Sequence, residues 1–238
     1  MSVEKDKELQ TQSNSNKQNS VRRWLAWGSV VLVLLFVGVM AQPRLNLDSQ
    51  STSIVAEAFM TDYPSLGPET APVTIVEYGD LGCAACWAWH KLGVLKDIRV
   101  KYGDQVRFVW KDFPVVTLAS PKAAEAAQCA HEQGKFWEFH DFIFDNDNIE
   151  TISKDDLKAY AAKVELDMDK FNECVDSRRY RDKVNNQQHE AFEAGFNGSP
   201  AFLVNDKPIV GAQRFEVFEE VIDSLLAPGS SVSQASRF

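Results

Sequence analysis

Two cysteines three positions apart, Cys83 and Cys86, have the residue type and spacing best suited to covalent chemistry in this chain. They follow a β-branched, apolar run at residues 73–78 that predicts a strand, and they stand where a helix should begin. Because a helix N-terminus stabilises a thiolate, this Cys-x-x-Cys predicts a reducible disulfide that exchanges with other thiols. The same spacing also serves as half of a zinc site or as a structural disulfide. The sequence has no second ligand pair with zinc spacing, so no metal is expected.

The N-terminal region predicts export of the rest of the chain. Residues 1–23 are polar and predict a disordered cytoplasmic tail, whereas residues 24–43 carry no charge and are long enough to span a bilayer. Basic residues, Arg22 and Arg23 among them, precede the apolar run and keep the N-terminus cytoplasmic. We therefore expect a single-pass anchor in the inner membrane with the domain on the periplasmic or extracytoplasmic side. A cleaved signal peptide is the alternative, and it too would export the domain.

Composition limits the number of domains and the partners. The chain has 238 residues and 45% hydrophobic content, enough for one good core or a core with an appended subdomain. Its net charge of −9 makes nucleic acid an unsuitable partner.

The hydrophobic pattern predicts an α/β domain that is interrupted in the middle. After a linker at residues 44–65, residues 66–119 contain two strands around a helix at 83–101, which implies a parallel pair. Residues 120–196 lack strand character, and their spacing predicts about four helices, at 123–134, 135–146, 153–164 and 167–196. Residues 197–227 return to strands, at 201–204 and 208–210, and end in a helix at 214–226. Residues 228–238 predict a disordered tail.

Four separated motifs resemble, in this order, those of the DsbA-type thiol:disulfide oxidoreductases. They are the stretch from Leu66 to Cys86, Lys111-Asp-Phe-Pro114, Gln133-Gly-Lys-Phe-Trp-Glu-Phe-His140 and Gly198-Ser-Pro-Ala-Phe-Leu-Val-Asn205. The resemblance covers residues 62 to 226. It implies a thioredoxin fold, βαβ–ββα, with an inserted all-helical subdomain, preceded in this chain by one transmembrane helix.

The resemblance assigns roles to the two thiols and to the residues between them. Cys83 is the exposed nucleophile, and Cys86 is the sheltered thiol that resolves the mixed disulfide. Ala84 and Ala85, expected to contact substrate, stand where family members often have Pro and His. The thiolate of Cys83 is therefore expected to depend on the helix terminus alone.

The same resemblance places three further residues beside the thiols. Pro200 is expected to follow a cis peptide bond against the Cys-x-x-Cys, which leaves the backbone of Ser199 free to pair with an extended substrate. Glu77 interrupts an apolar strand, and it is predicted to be a buried acceptor for the proton of Cys86. The alternative is a glutamate at a strand edge that faces solvent.

Aromatic residues and histidines near the motif have two interpretations each. His90 lies one turn past Cys86, where it either reaches the site or packs in the core, and packing is favoured. Trp87, Trp89 and Phe113 are expected to help form an apolar surface near the thiols, although core positions are the commoner alternative. The remaining histidines are interpreted as structural or surface residues.

The remaining cysteines, Cys129 and Cys174, fall on the first and last of the predicted inserted helices. In an oxidising compartment an even number of cysteines can pair fully, so we predict a structural disulfide between them. A second redox-active pair is the alternative.

Together these features predict a membrane-anchored enzyme that exchanges disulfides with cysteines of exported proteins through Cys83 and Cys86. The redox group is its own disulfide, with no cofactor, and a membrane redox partner is expected to recycle it. The domain is expected to be a monomer. One alternative is a reductase or isomerase kept reduced by a membrane donor. Another is a redox-inert binding module with two structural disulfides.

Overall fold

The computed structural model describes residues 63–145 and 151–227. Five strands lie in this part of the chain: β1 (Ser65–Leu66), β2 (Val73–Gly79), β3 (Val106–Asp112), β4 (Ala201–Val204) and β5 (Lys207–Val210). The α-helices are α1 (Ala84–Lys91), α2 (Val94–Tyr102), α3 (Ser120–Glu132), α4 (Phe136–Phe144), α5 (Lys154–Lys163), α6 (Met168–Ser177), α7 (Arg181–Glu193) and α8 (Phe215–Leu226).

The predicted tails at 1–23 and 228–238, the apolar segment at 24–43 and nearly all of the linker lie outside the described residues. Within the described part, no helix combines the length and the apolar character needed to cross a membrane.

The strands form one sheet in the order β1-β3-β2-β4-β5. Strands β2 and β3 pair in parallel across the α1–α2 connection, and the other neighbours are antiparallel. The α/β class and the interrupted thioredoxin-like order are thus confirmed. Strand β1 was not predicted, because two residues carry no periodic signal.

Alternation along β2 decides what faces α1. Val73 and Ile75 pack into one apolar cluster with Trp89 of α1, and Glu77 shares their face because it lies two residues further on. Tyr78, on the opposite face, packs instead against residues of α7 and β4. Glu77 is therefore buried under the helix that starts at the Cys-x-x-Cys.

Two helix boundaries differ from the predicted ones. The single helix expected at 83–101 is broken after α1, where Gly93 adopts a φ of 74° that glycine tolerates without strain. The last inserted helix, expected at 167–196, splits into α6 and α7 because Arg178 turns into the left-handed region at a φ of 54°. The described part of the insertion thus contains five helices where about four were predicted.

Candidate active site

Cys83 is the N-cap residue of α1, as the sequence predicted. A hydrogen bond from the Cys86 thiol lowers the pKa of Cys83 to about 7, and the backbone N–H groups of Cys86 and Ala85 lower it further, against the effect of burial. The expectation that the helix terminus alone sets this pKa is therefore wrong, since the larger contribution comes from the partner thiol.

Cys83 is also less accessible than predicted. Only 4% of its surface is exposed, because the Ser199–Pro200 segment lies against it and the thiol donates a hydrogen bond to the Ser199 carbonyl at 3.3 Å. Ala84 and Ala85 are exposed above the thiols, where a substrate would approach. The prediction that Cys83 is exposed is therefore wrong, because the Ser199–Pro200 segment covers its thiol.

Cys86 lies one turn further into α1 and is fully buried. Burial raises the pKa of the Cys86 thiol well above its usual value, and the hydrogen bond to Cys83 and the negative charge of Glu77 raise it further. The two thiols, both free in the structure, are thus shifted in opposite directions. One is suited to attack, and the other stays protonated until a base removes its proton.

The Ser199–Pro200 peptide bond is cis, as the resemblance implied, and Pro200 is buried. The hydroxyl of Ser199 donates to the carbonyl of Tyr78 at 3.0 Å and lies 3.1 Å from the sulfur of Cys86. The Ser199 backbone is not free, because its carbonyl accepts the Cys83 thiol. The role of this hydroxyl was missed, since a serine before a proline carries no signal of a contact 113 residues away.

Glu77 has no exposed surface, so the alternative of a solvent-facing glutamate is ruled out. Its Oε2 lies 3.1 Å from Nε2 of His90, and its Oε1 has no hydrogen-bond partner among the described residues. No direct hydrogen bond joins Glu77 to Cys86 in this part of the chain, although its charge acts on the Cys86 thiol. His90, interpreted mainly as a packing residue, is in fact bonded to the predicted proton acceptor.

Asp80 joins the turn before Cys83 to the loop that follows β3. One carboxylate oxygen accepts the N–H of Gly82 at 2.7 Å, and the other accepts those of Val115 and Val116 at 2.9 and 2.8 Å. A Cβ added to Gly82 would lie 2.6 Å from the hydroxyl of Ser120 and 2.8 Å from that of Thr117, so a larger residue would force these side chains to shift. The loop is therefore held against the start of α1.

The expected apolar surface consists of different residues. Trp89 and Phe113 are fully buried, so their prediction as surface residues is wrong, and Trp87 is only partly exposed and donates to the Phe144 carbonyl. The exposed apolar side chains near the thiols are on the loop held by Asp80. Val116 is 50% exposed and Leu118 is 100% exposed.

Cys129 of α3 and Cys174 of α6 form a disulfide, the pairing that the sequence predicted. Both lie within the apolar core of the inserted helices and are about 1% exposed. In the described residues, no group of three or more His, Cys, Asp and Glu side chains is placed to hold a metal ion.

Comparison with known proteins agrees with this geometry. A thioredoxin family model matches residues 61–224. The probable disulfide bond formation protein D of Bacillus cereus is 29% identical over 205 residues, which cover 82% of this chain and 93% of that protein. Oxidised BdbD of Bacillus subtilis has the same fold, with a TM-score of 0.64, 24% identity, and coverage of 70% of this chain and 94% of that structure.

Another group of relatives is longer. The Na(+)/H(+) antiporter NhaA 3 of Salinispora tropica is 33% identical over 163 residues, which are 68% of this chain but 24% of the antiporter. The chain thus spans about a quarter of the length of the antiporter relatives that it matches.

Proposed function

Because this chain belongs to the thioredoxin family, we propose that it is a DsbA-type thiol:disulfide oxidoreductase that acts on cysteines of exported proteins. The observation that carries the proposal is the placement of two free thiols one turn apart at the start of α1, which shifts their pKa values in opposite directions. Cys83, at the helix start, has its pKa lowered to about 7, and Cys86, one turn deeper, has its pKa raised by burial. A structural disulfide has no need of this asymmetry, whereas thiol exchange depends on it.

The exchange runs in two balanced steps. A thiolate of the substrate attacks the sulfur of Cys83 in the Cys83–Cys86 disulfide, so a mixed disulfide forms while Cys86 leaves as a thiolate and takes up a proton. A second substrate thiolate then attacks the substrate sulfur of the mixed disulfide, and Cys83 leaves as a thiolate. Two electrons pass from the substrate to the cysteine pair. Reduction of a substrate follows the same steps in reverse.

Glu77 is the group that exchanges this proton with Cys86. It is buried on the face of the sheet that α1 covers, and its charge acts on the Cys86 thiol. In the oxidising direction Glu77 supplies the proton, and in the reducing direction it accepts the proton, with a bridging water where needed.

The substrates we propose are extended or unfolded polypeptides. Val116 and Leu118 expose aliphatic side chains on the loop that Asp80 holds against the start of α1. Such side chains suit apolar segments that a folded protein would bury. Ala84 and Ala85 are exposed beside Cys83, where such a segment would make contact.

We further propose that residues 24–43 remain as a membrane anchor and that a membrane redox partner recycles the cysteine pair. The uncharged run and the basic residues before it support the anchor. The full-length protein should stay in the membrane fraction after an alkaline carbonate wash and keep its first residues by mass. A soluble form that starts near Gln42 would identify the segment as a cleaved signal instead.

The equilibrium potential of the Cys83–Cys86 pair against a glutathione buffer tests the function and its direction. A potential more oxidising than about −200 mV would identify an oxidase. A value near about −270 mV would identify a reductase, and a pair that resists reduction below about −300 mV would identify a redox-inert module.

A further inference from the structure

His90 lies between the buried carboxylate of Glu77 and solvent. Its Nε2 is 3.1 Å from Oε2 of Glu77, which has no exposed surface, while 11% of the His90 side chain is exposed. A proton on Glu77 therefore has no direct way to water through Glu77 itself. Among the described residues, the His90 imidazole both forms a hydrogen bond to the Glu77 carboxylate and is partly exposed to solvent.

The surroundings of His90 hold its ring in this position. Its ring contacts His140 edge-on at 4.6 Å between centroids, Phe144 at 5.2 Å and Trp110 at 6.2 Å. These contacts come from α4 and β3, and Trp89 of α1 adds an edge-on contact at 5.1 Å. The ring is thus clamped by aromatic neighbours while its nitrogen faces Glu77.

The other charged and titratable groups around His90 are neutral, exposed to solvent or paired elsewhere, so His90 is the neighbour that can exchange a proton with Glu77. Burial lowers the pKa of His140 to about 4, so that second imidazole stays neutral near neutral pH. Asp141, which bonds to His140 at 2.8 Å, lies largely in solvent, and Lys91 on α1 itself pairs with Asp145. On β2 the facing group is Glu77. In the described residues, the buried carboxylate of Glu77 is therefore paired with the partly exposed imidazole of His90.

We propose that His90 carries the proton of Cys86 between Glu77 and solvent during thiol exchange. This inference rests on the proposed function. When Cys86 resolves a mixed disulfide, its S–H proton passes to Glu77, His90 takes that proton at one ring nitrogen, and the ring releases a proton to water. The new bond joins Cys83 to Cys86, the bond between Cys83 and the partner breaks, and the partner leaves as a thiolate. In the opposite direction the proton moves inward along the same groups.

An imidazole is suited to this task for a chemical reason. It has two nitrogens, so it can bond to Glu77 at one and exchange a proton at the other, and histidine is the side chain that carries protons near neutral pH. A packing role alone would make no use of the nitrogen that faces Glu77.

The test uses the reduced, full-length protein and Ellman's reagent, which releases one thionitrobenzoate when Cys83 attacks and a second when Cys86 resolves the mixed disulfide. In His90→Gln the amide keeps a donor toward Glu77 but cannot take up a proton. We expect the second phase to slow about tenfold or more across roughly pH 6 to 8, with the first phase changed less than about twofold. Added imidazole should restore the second phase in His90→Ala.

The matched control is His140→Phe, a ring-for-ring change next to His90. In the described residues His140 Nε2 has no hydrogen-bond partner, and the hydrogen bond that the change removes is the one from Nδ1 to the largely exposed Asp141, on the side chain's other nitrogen. We expect a second phase like that of the natural protein. If the second phase were as fast in His90→Gln as in the natural protein, the proposed proton transfer through His90, here called the relay, would be overturned. An equal slowing in His140→Phe would also overturn the relay and would assign His90 to packing. A natural protein without a second phase would overturn the proposed function itself, and the relay with it.

Discussion

The chain contains two pairs of buried cysteines, and their surroundings separate them. Cys129 and Cys174 lie among apolar side chains of the inserted helices and form a disulfide between α3 and α6. Cys83 and Cys86 are free and lie where the start of a helix, the backbone of Ser199 and a buried carboxylate meet. Burial is thus common to both pairs and cannot decide their chemistry.

The two pairs differ in the hydrogen bonds and charges around them. Hydrogen-bond donors from α1 stabilise the thiolate of Cys83, while the charge of Glu77 disfavours the thiolate of Cys86. Cys83 can therefore attack while Cys86 still holds its proton. The Cys129–Cys174 disulfide instead joins α3 to α6, and α4 and α5 lie between these two helices in the chain. The same side chain therefore serves exchange in one region and stability in the other.

The largest effect should come from removing the attacking sulfur. Cys83→Ser should abolish thiol exchange, because a hydroxyl is a far weaker nucleophile and cannot form the mixed disulfide. Insulin reduction assays and capture of partner proteins should both fall to background. Cys86→Ser is the counterpart, since it should accumulate mixed disulfides on Cys83. Full activity in Cys83→Ser would remove the distinction between the two pairs.

Removing the Cys129–Cys174 disulfide should lower the stability of the fold and leave thiol exchange intact. Cys129 and Cys174 are separated by 45 residues, so loss of the bridge costs up to about 4 kcal/mol in the chain-entropy model. Chemical denaturation of Cys129→Ala/Cys174→Ala should show this loss, while thiol exchange at a temperature below unfolding stays near that of the natural protein. A folded double variant with no activity would make the second pair a redox relay.

Glu77→Gln should slow resolution by Cys86 about a hundredfold, because proton transfer by a positioned base contributes on the order of 10²–10⁴-fold. The amide keeps the shape and removes the charge. Attack by Cys83 should change little, and stopped-flow exchange with a peptide disulfide separates the two steps. Glu138→Gln, the same change at an exposed position, is the control. Resolution that is unchanged in Glu77→Gln would mean that the proton leaves by another route.

The smallest effect should be that of Ser199→Ala. When its O–H turns from the Tyr78 carbonyl to the Cys86 sulfur, this hydroxyl donates to the thiolate and lowers the pKa of Cys86. Loss of one such hydrogen bond costs about 1 kcal/mol. Resolution should slow about fivefold, and Ser199→Thr, which keeps the hydroxyl, should remain near the natural rate. A loss as large as that of Glu77→Gln would place this hydroxyl in the proton path.

The sequence predicted those features that depend on local patterns. The strand before Cys83, the helix that starts there and the pairing of Cys129 with Cys174 follow from periodicity, spacing and cysteine number. The cover over Cys83 could not be predicted, because Ser199 is 116 residues away and only the folded sheet brings it close. The bond between His90 and Glu77 depends on how α1 is rotated over β2, and periodicity does not report this rotation. The break at Gly93 was missed because one glycine is tolerated within a helical pattern.

The central claim is that the two neighbouring thiols differ in acidity, and the pH dependence of alkylation tests it most directly. Reduced protein is treated briefly with iodoacetamide over roughly pH 5 to 9, and the modified cysteine is identified by mass spectrometry. Because only the thiolate reacts, labelling of Cys83 should rise with pH and level off above its pKa of about 7. Cys86 should remain unlabelled throughout that range. Equal labelling of both thiols, or earlier labelling of Cys86, would contradict the account.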